Sequence, residues 1–186
     1  MTIEQTSLPG VLVFTPSVYK DARGFFCESY NAEVWRQSGI DTVFVQDNHS
    51  HSVRGTLRGL HFQLPPAAQV KLLRVARGAV WDVAVDIRRG SHTFGQWVGV
   101  ELTEDNFKQL YIPEGYAHGF CVMSDEADVL YKTSHVYSSA HEQGIAWNDP
   151  MLGIDWPDRS PLLSDRDHRA GSLKDYLAKT PFVYTG

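Results

Sequence analysis

From residue 42 to residue 137 the chain is a succession of short runs of β-forming residues. Turn-forming glycine, proline, asparagine or aspartate separates them roughly every 8–12 residues. That spacing leaves no room for crossover helices, so it predicts antiparallel strands in a sandwich or barrel and not β-α-β units. Residues 79–87 are the clearest case. Trp81, Val83, Val85 and Ile87 would share one face, and Val80, Asp82, Ala84 and Asp86 the other. Two carboxylates at i and i+4 on one strand face either serve a site or meet solvent, and the pattern alone leaves both open.

Helices are few and peripheral. Asn31 is placed to cap a short helix over residues 32–38 that Gly39 ends. Ser172-Leu173-Lys174-Asp175 has capping-box spacing for a last short helix. Residues 19–26 read as a polar hairpin running into aromatics, with Arg23 solvated at its turn. The serine- and asparagine-rich residues 47–52 read as a loop, although His49 and His51 have the H-x-H spacing of a metal pair. After Gly144 the pattern turns irregular and is pinned by Trp147 and Trp156. One domain over residues 1–186 is expected, with an arm over about 1–40, a barrel over about 41–145 and a packed tail over about 146–186.

Charge and cysteine content narrow the function classes. A net charge of -5 argues against general nucleic-acid binding, while allowing a local arginine pocket for one anion. Cys27 and Cys121 match no metal pattern and read as free thiols of a reducing compartment. No signal-like start and no long apolar run is present, so a cytoplasmic protein without a membrane span is expected.

Two residues suggest chemistry. His61, in Arg58-Gly59-Leu60-His61-Phe62-Gln63, is of the type best matched to proton transfer near neutral pH. Lys71, opening the next apolar run, could hold a developing negative charge. A buried histidine beside a snorkelling lysine reads equally well on these two residues alone. Both would have to stand on the same wall of one cup. Arg58 and His61, three apart, would point to opposite faces of a regular strand and share a pocket only if Gly59 marks a bulge or sharp twist.

Pro113-Glu114-Gly115-Tyr116-Ala117-His118-Gly119 has the form P-x-G-x-x-H and resembles the second motif of the cupin superfamily. That resemblance implies an all-β jelly-roll barrel or sandwich. The first motif of metal-binding cupins is incomplete here. Only His61 remains of its histidine pair, and Ala67 and Ala68 stand where its acid is wanted, so no metal is expected.

A finer resemblance, from Asp21 to the tail, is to the dTDP-4-dehydrorhamnose 3,5-epimerases. It rests on Asp21-Ala22-Arg23-Gly24-Phe25-Phe26-Cys27-Glu28, Gln46-Asp47-Asn48, the Arg58–Gln63 stretch, Lys71 and the P-x-G-x-x-H segment. Leu130-Tyr131-Lys132-Thr133, Trp147-Asn148-Asp149-Pro150 and Leu163-Ser164-Asp165-Arg166-Asp167 complete it. The resemblance implies a cofactor-free isomerase that inverts C3 and C5 of a dTDP-4-keto-6-deoxyhexose through an enolate. It implies His61 as base paired with Asp167, Lys71 at the enolate oxygen and Tyr131 as acid. Arg23, Arg58 and Arg166 would meet the diphosphate and Tyr137 the thymine. Glu28, Gln46, Asp47, Asn48, His118 and Glu142 would contact nucleotide or sugar. A homodimer with exchanged N-terminal arms is implied, with Arg23 and Glu28 serving the neighbouring site. Val136 and Arg166 depart from the family's usual tyrosine and lysine. Alternatives are a single-centre epimerase, a non-catalytic sugar-nucleotide-binding cupin, and a metal-dependent cupin using His49, His51, His61 and His118.

Overall fold

The computed structural model describes residues 1–179 and 181–184. In chain order the elements are β1 (Thr2–Gln5), β2 (Leu12–Thr15), β3 (Val18–Asp21), β4 (Gly24–Cys27), α1 (Ala32–Gln37), β5 (Gln46–Val53), β6 (Leu57–Gln63) and β7 (Lys71–Arg77). There follow β8 (Ala79–Asp86), β9 (Trp97–Thr103), β10 (Gln109–Ile112), β11 (Tyr116–Val122), β12 (Glu126–Thr133), β13 (Glu142–Gly144), α2 (Asp165–His168) and α3 (Leu173–Leu177). Two antiparallel sheets face each other: β1-β2-β10-β7-β12-β5, and β13-β6-β11-β8-β9. The short β3–β4 hairpin stands apart from both.

Strand alternation sorts the side chains into layers. Leu73, Val75 and Val129 of the first sheet meet Val80, Ala84, Phe120 and Val122 of the second in the core. The outer face of the second sheet is also apolar, with Leu57, Val83, Val85 and Cys121. Ile145, Leu152, Trp156, Leu173 and Phe182 from the tail cover it, so β11 is buried along its whole length. On the outside of the first sheet, Trp35 of α1 stacks on Phe14 with ring centroids 4.0 Å apart. These all-β sheets with short peripheral helices agree with the expected class.

Local expectations held where caps set them. Asn31 accepts from the Glu33 and Val34 amides, and Ser172 and Asp175 cap each other. Others did not hold. Residues 47–52 are not a loop but the middle of β5, paired with β12 over its whole length. The ladder, and not apolar content, holds this strand: His49 and His51 lie on its exposed side and share Asp128 Oδ1 at 3.0 Å each. Asp82 and Asp86 are both fully buried, which excludes the solvated alternative. The four-residue helix α2 has too few residues to leave a periodic pattern.

Candidate active site

Between the sheets, at the end where β6 and β11 meet β12, lies an open cup of about 520 Å³. Its geometry begins at Gly59. The β6–β11 register, with His61 opposite His118, slips by a residue before Phe120 pairs with Arg58. Gly59 has φ +133, and a Cβ there would lie 2.4 Å from the Cα of Gly119. Only glycine permits this approach. The bulge turns both Arg58 and His61 into the cup lining, as the spacing required.

His61 Nε2 lies 2.5 Å from Asp167 Oδ1. An ionised carboxylate only accepts, so Nε2 carries the proton and Nδ1 keeps a lone pair. Asp167 is itself oriented: its Oδ2 accepts from the Ser164 hydroxyl at 2.8 Å, and Ser164 caps α2. Burial lowers the His61 pKa from its ordinary value, against the opposing pull of Asp167, while Arg166 and Lys71 reinforce the fall. Burial raises the pKa of Asp167, but its partners His61 and Ser164 win and hold it below the usual value.

Lys71 and Tyr131 enter from the opposite sheet, which corrects the expectation of one shared wall. The ammonium reaches across and donates to the His61 carbonyl oxygen at 3.3 Å. Burial brings the Lys71 pKa from 10.5 down to about 8, with the charges of Asp82 and Glu142 pulling the other way. Burial raises the Tyr131 phenol. His118, on the floor, donates from Nε2 to Asp82 Oδ1 at 2.9 Å.

A polar network rims the opening. The Tyr137 hydroxyl donates to Glu142 at 2.7 Å, and Glu142 pairs with Arg166. Arg166 Nη2 lies 3.0 and 2.7 Å from the two His61 ring nitrogens. Near-equal approach to both places it over the ring face and not on the Nδ1 lone pair. Gln46 accepts from the Tyr137 amide and donates to Asn48, each at 2.8 Å. Arg58 donates to Ser52 Oγ at 3.0 Å.

Eleven of the residues singled out in the sequence thus line one cavity: Gln46, Asn48, Arg58, His61, Lys71, His118, Tyr131, Tyr137, Glu142, Arg166 and Asp167. Three do not. Arg23 sits at the tip of the β3–β4 hairpin, paired with Asp21 at 2.6 Å and 90% exposed. Glu28 is exposed just beyond that hairpin, and Asp47 points outward to Lys132 at 2.7 Å. Sequence reasoning gave no role to Gln63. It accepts from the Ser138 amide at 2.7 Å and donates to the Ala67 carbonyl at 2.6 Å, which anchors the Tyr137 loop. Its presence in the Arg58–Gln63 stretch was the available signal. Among the described residues, no three His, Cys, Asp or Glu side chains converge as a metal site.

A bent-in histidine–aspartate pair, a half-buried lysine and two arginines at one mouth suit an anionic carbonyl compound whose α-hydrogens are exchanged. The model of the family described as dTDP-4-dehydrorhamnose 3,5-epimerase matches residues 5–175. The chain is 56% identical over 168 residues to the dTDP-4-dehydrorhamnose 3,5-epimerase of Shigella flexneri, covering 90% of this chain and 93% of that one. It is 42% identical over 171 residues to the dTDP-4-dehydrorhamnose 3-epimerase of Streptomyces niveus, covering 91% and 83%. A 3,5-epimerase from Legionella pneumophila, solved with dTDP-4-keto-L-rhamnose, superposes with a TM-score of 0.95 at 45% identity, covering 100% and 99% of the two chains.

Proposed function

Since the chain belongs to the dTDP-4-dehydrorhamnose 3,5-epimerase family, we propose that its cup performs that family's chemistry with His61, Lys71, Tyr131 and Asp167 as the working groups. The protein is an isomerase that takes dTDP-4-dehydro-6-deoxy-D-glucose to dTDP-4-dehydro-L-rhamnose by inverting C3 and C5. The C4 ketone acidifies the hydrogens on both neighbouring carbons. Even so, such a carbon acid is weaker than imidazolium by about a dozen pK units, or about 16 kcal/mol. A base alone cannot cross that gap, and the enolate oxygen must be stabilised as it forms.

His61 Nδ1 takes the proton, with Asp167 fixing the tautomer and supporting the charge that develops on the ring. Lys71, reaching over from the facing sheet, holds the enolate oxygen. Inversion requires the proton to return from the other face of the sugar, and Tyr131, on the sheet opposite His61, supplies it. Arg58 and Arg166 take the diphosphate as charge-assisted donors, and Tyr137 stacks on the thymine. Gln46, Asn48, His118 and Glu142 hold the remaining sugar and nucleotide groups. No redox partner enters, because the reaction is neutral in electrons.

Arg23 and Glu28 fit this reading through a second subunit. The hairpin that carries Arg23 exposes Tyr19, Phe25 and Phe26, a costly arrangement for a chain on its own. In the homodimer we infer, this arm delivers Arg23 and Glu28 to the neighbouring cup. The two free cysteines support a cytoplasmic location as part of this reading; among the described residues no helix is long and apolar enough to cross a membrane.

The single observation that carries the reading is the short His61–Asp167 pair beside the Lys71 ammonium. Incubating the substrate in deuterated water and following C3 and C5 by NMR tests it. Label at both carbons with L-rhamno product is expected. The similarity to the Streptomyces niveus 3-epimerase supports a second reading, and label at C3 alone would select it.

A further inference from the structure

Asp82 lies outside the lining of the cup, behind His118, and is fully buried. Its Oδ1 meets His118 Nε2 at 2.9 Å, whereas its Oδ2 has no partner among the described residues. Leaving a buried carboxylate oxygen bare is expensive unless another charge balances it. Across the sandwich stands Lys71, whose three N–H groups make, among the described residues, one hydrogen bond, at 3.3 Å, to the His61 carbonyl. Among the described residues no hydrogen bond joins this ammonium to the Asp82 carboxylate.

Resting on the epimerase reading, we propose that Asp82 is a positioning residue with a separate task for each oxygen. Oδ1 holds the Nε2–H of His118, leaving Nδ1 to accept from a sugar hydroxyl beside the ketone. Oδ2 is the distant counter-charge that keeps Lys71 an ammonium until the enolate forms. A carboxylate in direct contact would neutralise that ammonium and weaken its hold on a new oxyanion. One on the facing sheet, out of hydrogen-bond contact, keeps it protonated and leaves its donors free. The other charged or titratable groups around Lys71 are His61 from β6, His118 from β11, Tyr131 from β12, Glu142 from β13 and Arg166 from α2. The influence of Asp82 on Lys71 runs in the required direction, towards the charged form.

Asp82→Asn keeps the shape and an acceptor for His118 but removes the charge. The alkaline limb of kcat/KM should move down by about one pH unit, a roughly tenfold loss at pH 8.5. KM and dTDP affinity should stay within about twofold. The Cε resonance of Lys71, assigned through Lys71→Arg, should titrate lower in the variant by the same amount. An unmoved limb and an unmoved Lys71 titration in folded Asp82→Asn would overturn the proposal. Should that variant not fold, the wild-type carboxyl carbon of Asp82 decides. A step in its shift coincident with the Lys71 titration is expected, and its absence overturns the proposal. Wild type without turnover would instead defeat the functional reading, while the two NMR titrations would still judge Asp82.

Discussion

Asp82 and Asp86 stand four residues apart on the same face of β8, neither with any solvent exposure, in opposite surroundings. Asp86, at the closed end, accepts from the Arg88 amide at 2.9 Å and from its guanidinium at 3.0 and 2.7 Å. Ser91 and Thr93 add hydroxyl donors at 2.6 Å each. Arg88 in turn lies against the ring of Tyr116, whose hydroxyl donates to the Pro9 carbonyl at 2.6 Å. That end ties the N-terminal strands to the barrel with both oxygens of Asp86 hydrogen-bonded. Asp82, towards the cup, has one oxygen without a partner among the described residues and stands across the sandwich from Lys71. The difference separates two uses of a buried charge. Saturated, it secures packing; unsaturated, it is held in readiness for a group that arrives from outside.

The comparison can be broken most forcefully at its structural end. Burial raises the pKa of Asp86, but hydrogen bonds from Arg88, Ser91 and Thr93 win and hold it below the usual carboxylate value. Asp86→Ala strands the Arg88 fork and should cost about 3–5 kcal/mol. Calorimetry should then show a Tm roughly 6–20 °C lower. Because the folded pKa is depressed, the Asp86 contribution is complete above the unfolded carboxylate pKa and fades as pH falls through the folded one. The penalty of the variant should shrink correspondingly in acid. Turnover per folded molecule should hardly change, and a large loss there would erase the distinction between the two ends.

A smaller effect sharpens the cup end. The proposed mechanism needs His61 neutral and Lys71 charged. Burial lowers the His61 pKa, so the acid limb of kcat/KM should fall below pH 6.5. Burial also brings Lys71 to about 8, so the alkaline limb should lie near there and drop about tenfold per further pH unit. A plateau extending beyond pH 9.5 would remove Lys71 from the enolate role.

How far the sequence was readable follows from the same contrast. Strand alternation and turn residues announced the sandwich, because β8 and its neighbours bury regular apolar sets. The irregularity at Gly59 was legible, since Arg58 and His61 could share a pocket only through a bulge or sharp twist there. β5 was not, because its partner β12 specifies it and its own side chains are polar. Nor could Asp82 be told from Asp86. The donors of Asp86 follow directly in residues 88–93, while the histidine of Asp82 comes from β11, 36 residues away. The entry of Lys71 from the facing sheet is likewise a tertiary fact, invisible to local periodicity. Arg23 and Glu28 matched a site motif yet lie away from this chain's own cup, as residues serving a neighbouring subunit would.

Hydrogen exchange at the sugar by His61→Ala addresses the proton-transfer role most directly. With dTDP-4-dehydro-6-deoxy-D-glucose in deuterated water, incorporation at C3 and C5 should both fall by at least about 10³-fold, while dTDP affinity stays within a few-fold of wild type. Exchange persisting at either carbon near the wild-type rate would contradict His61 as the base.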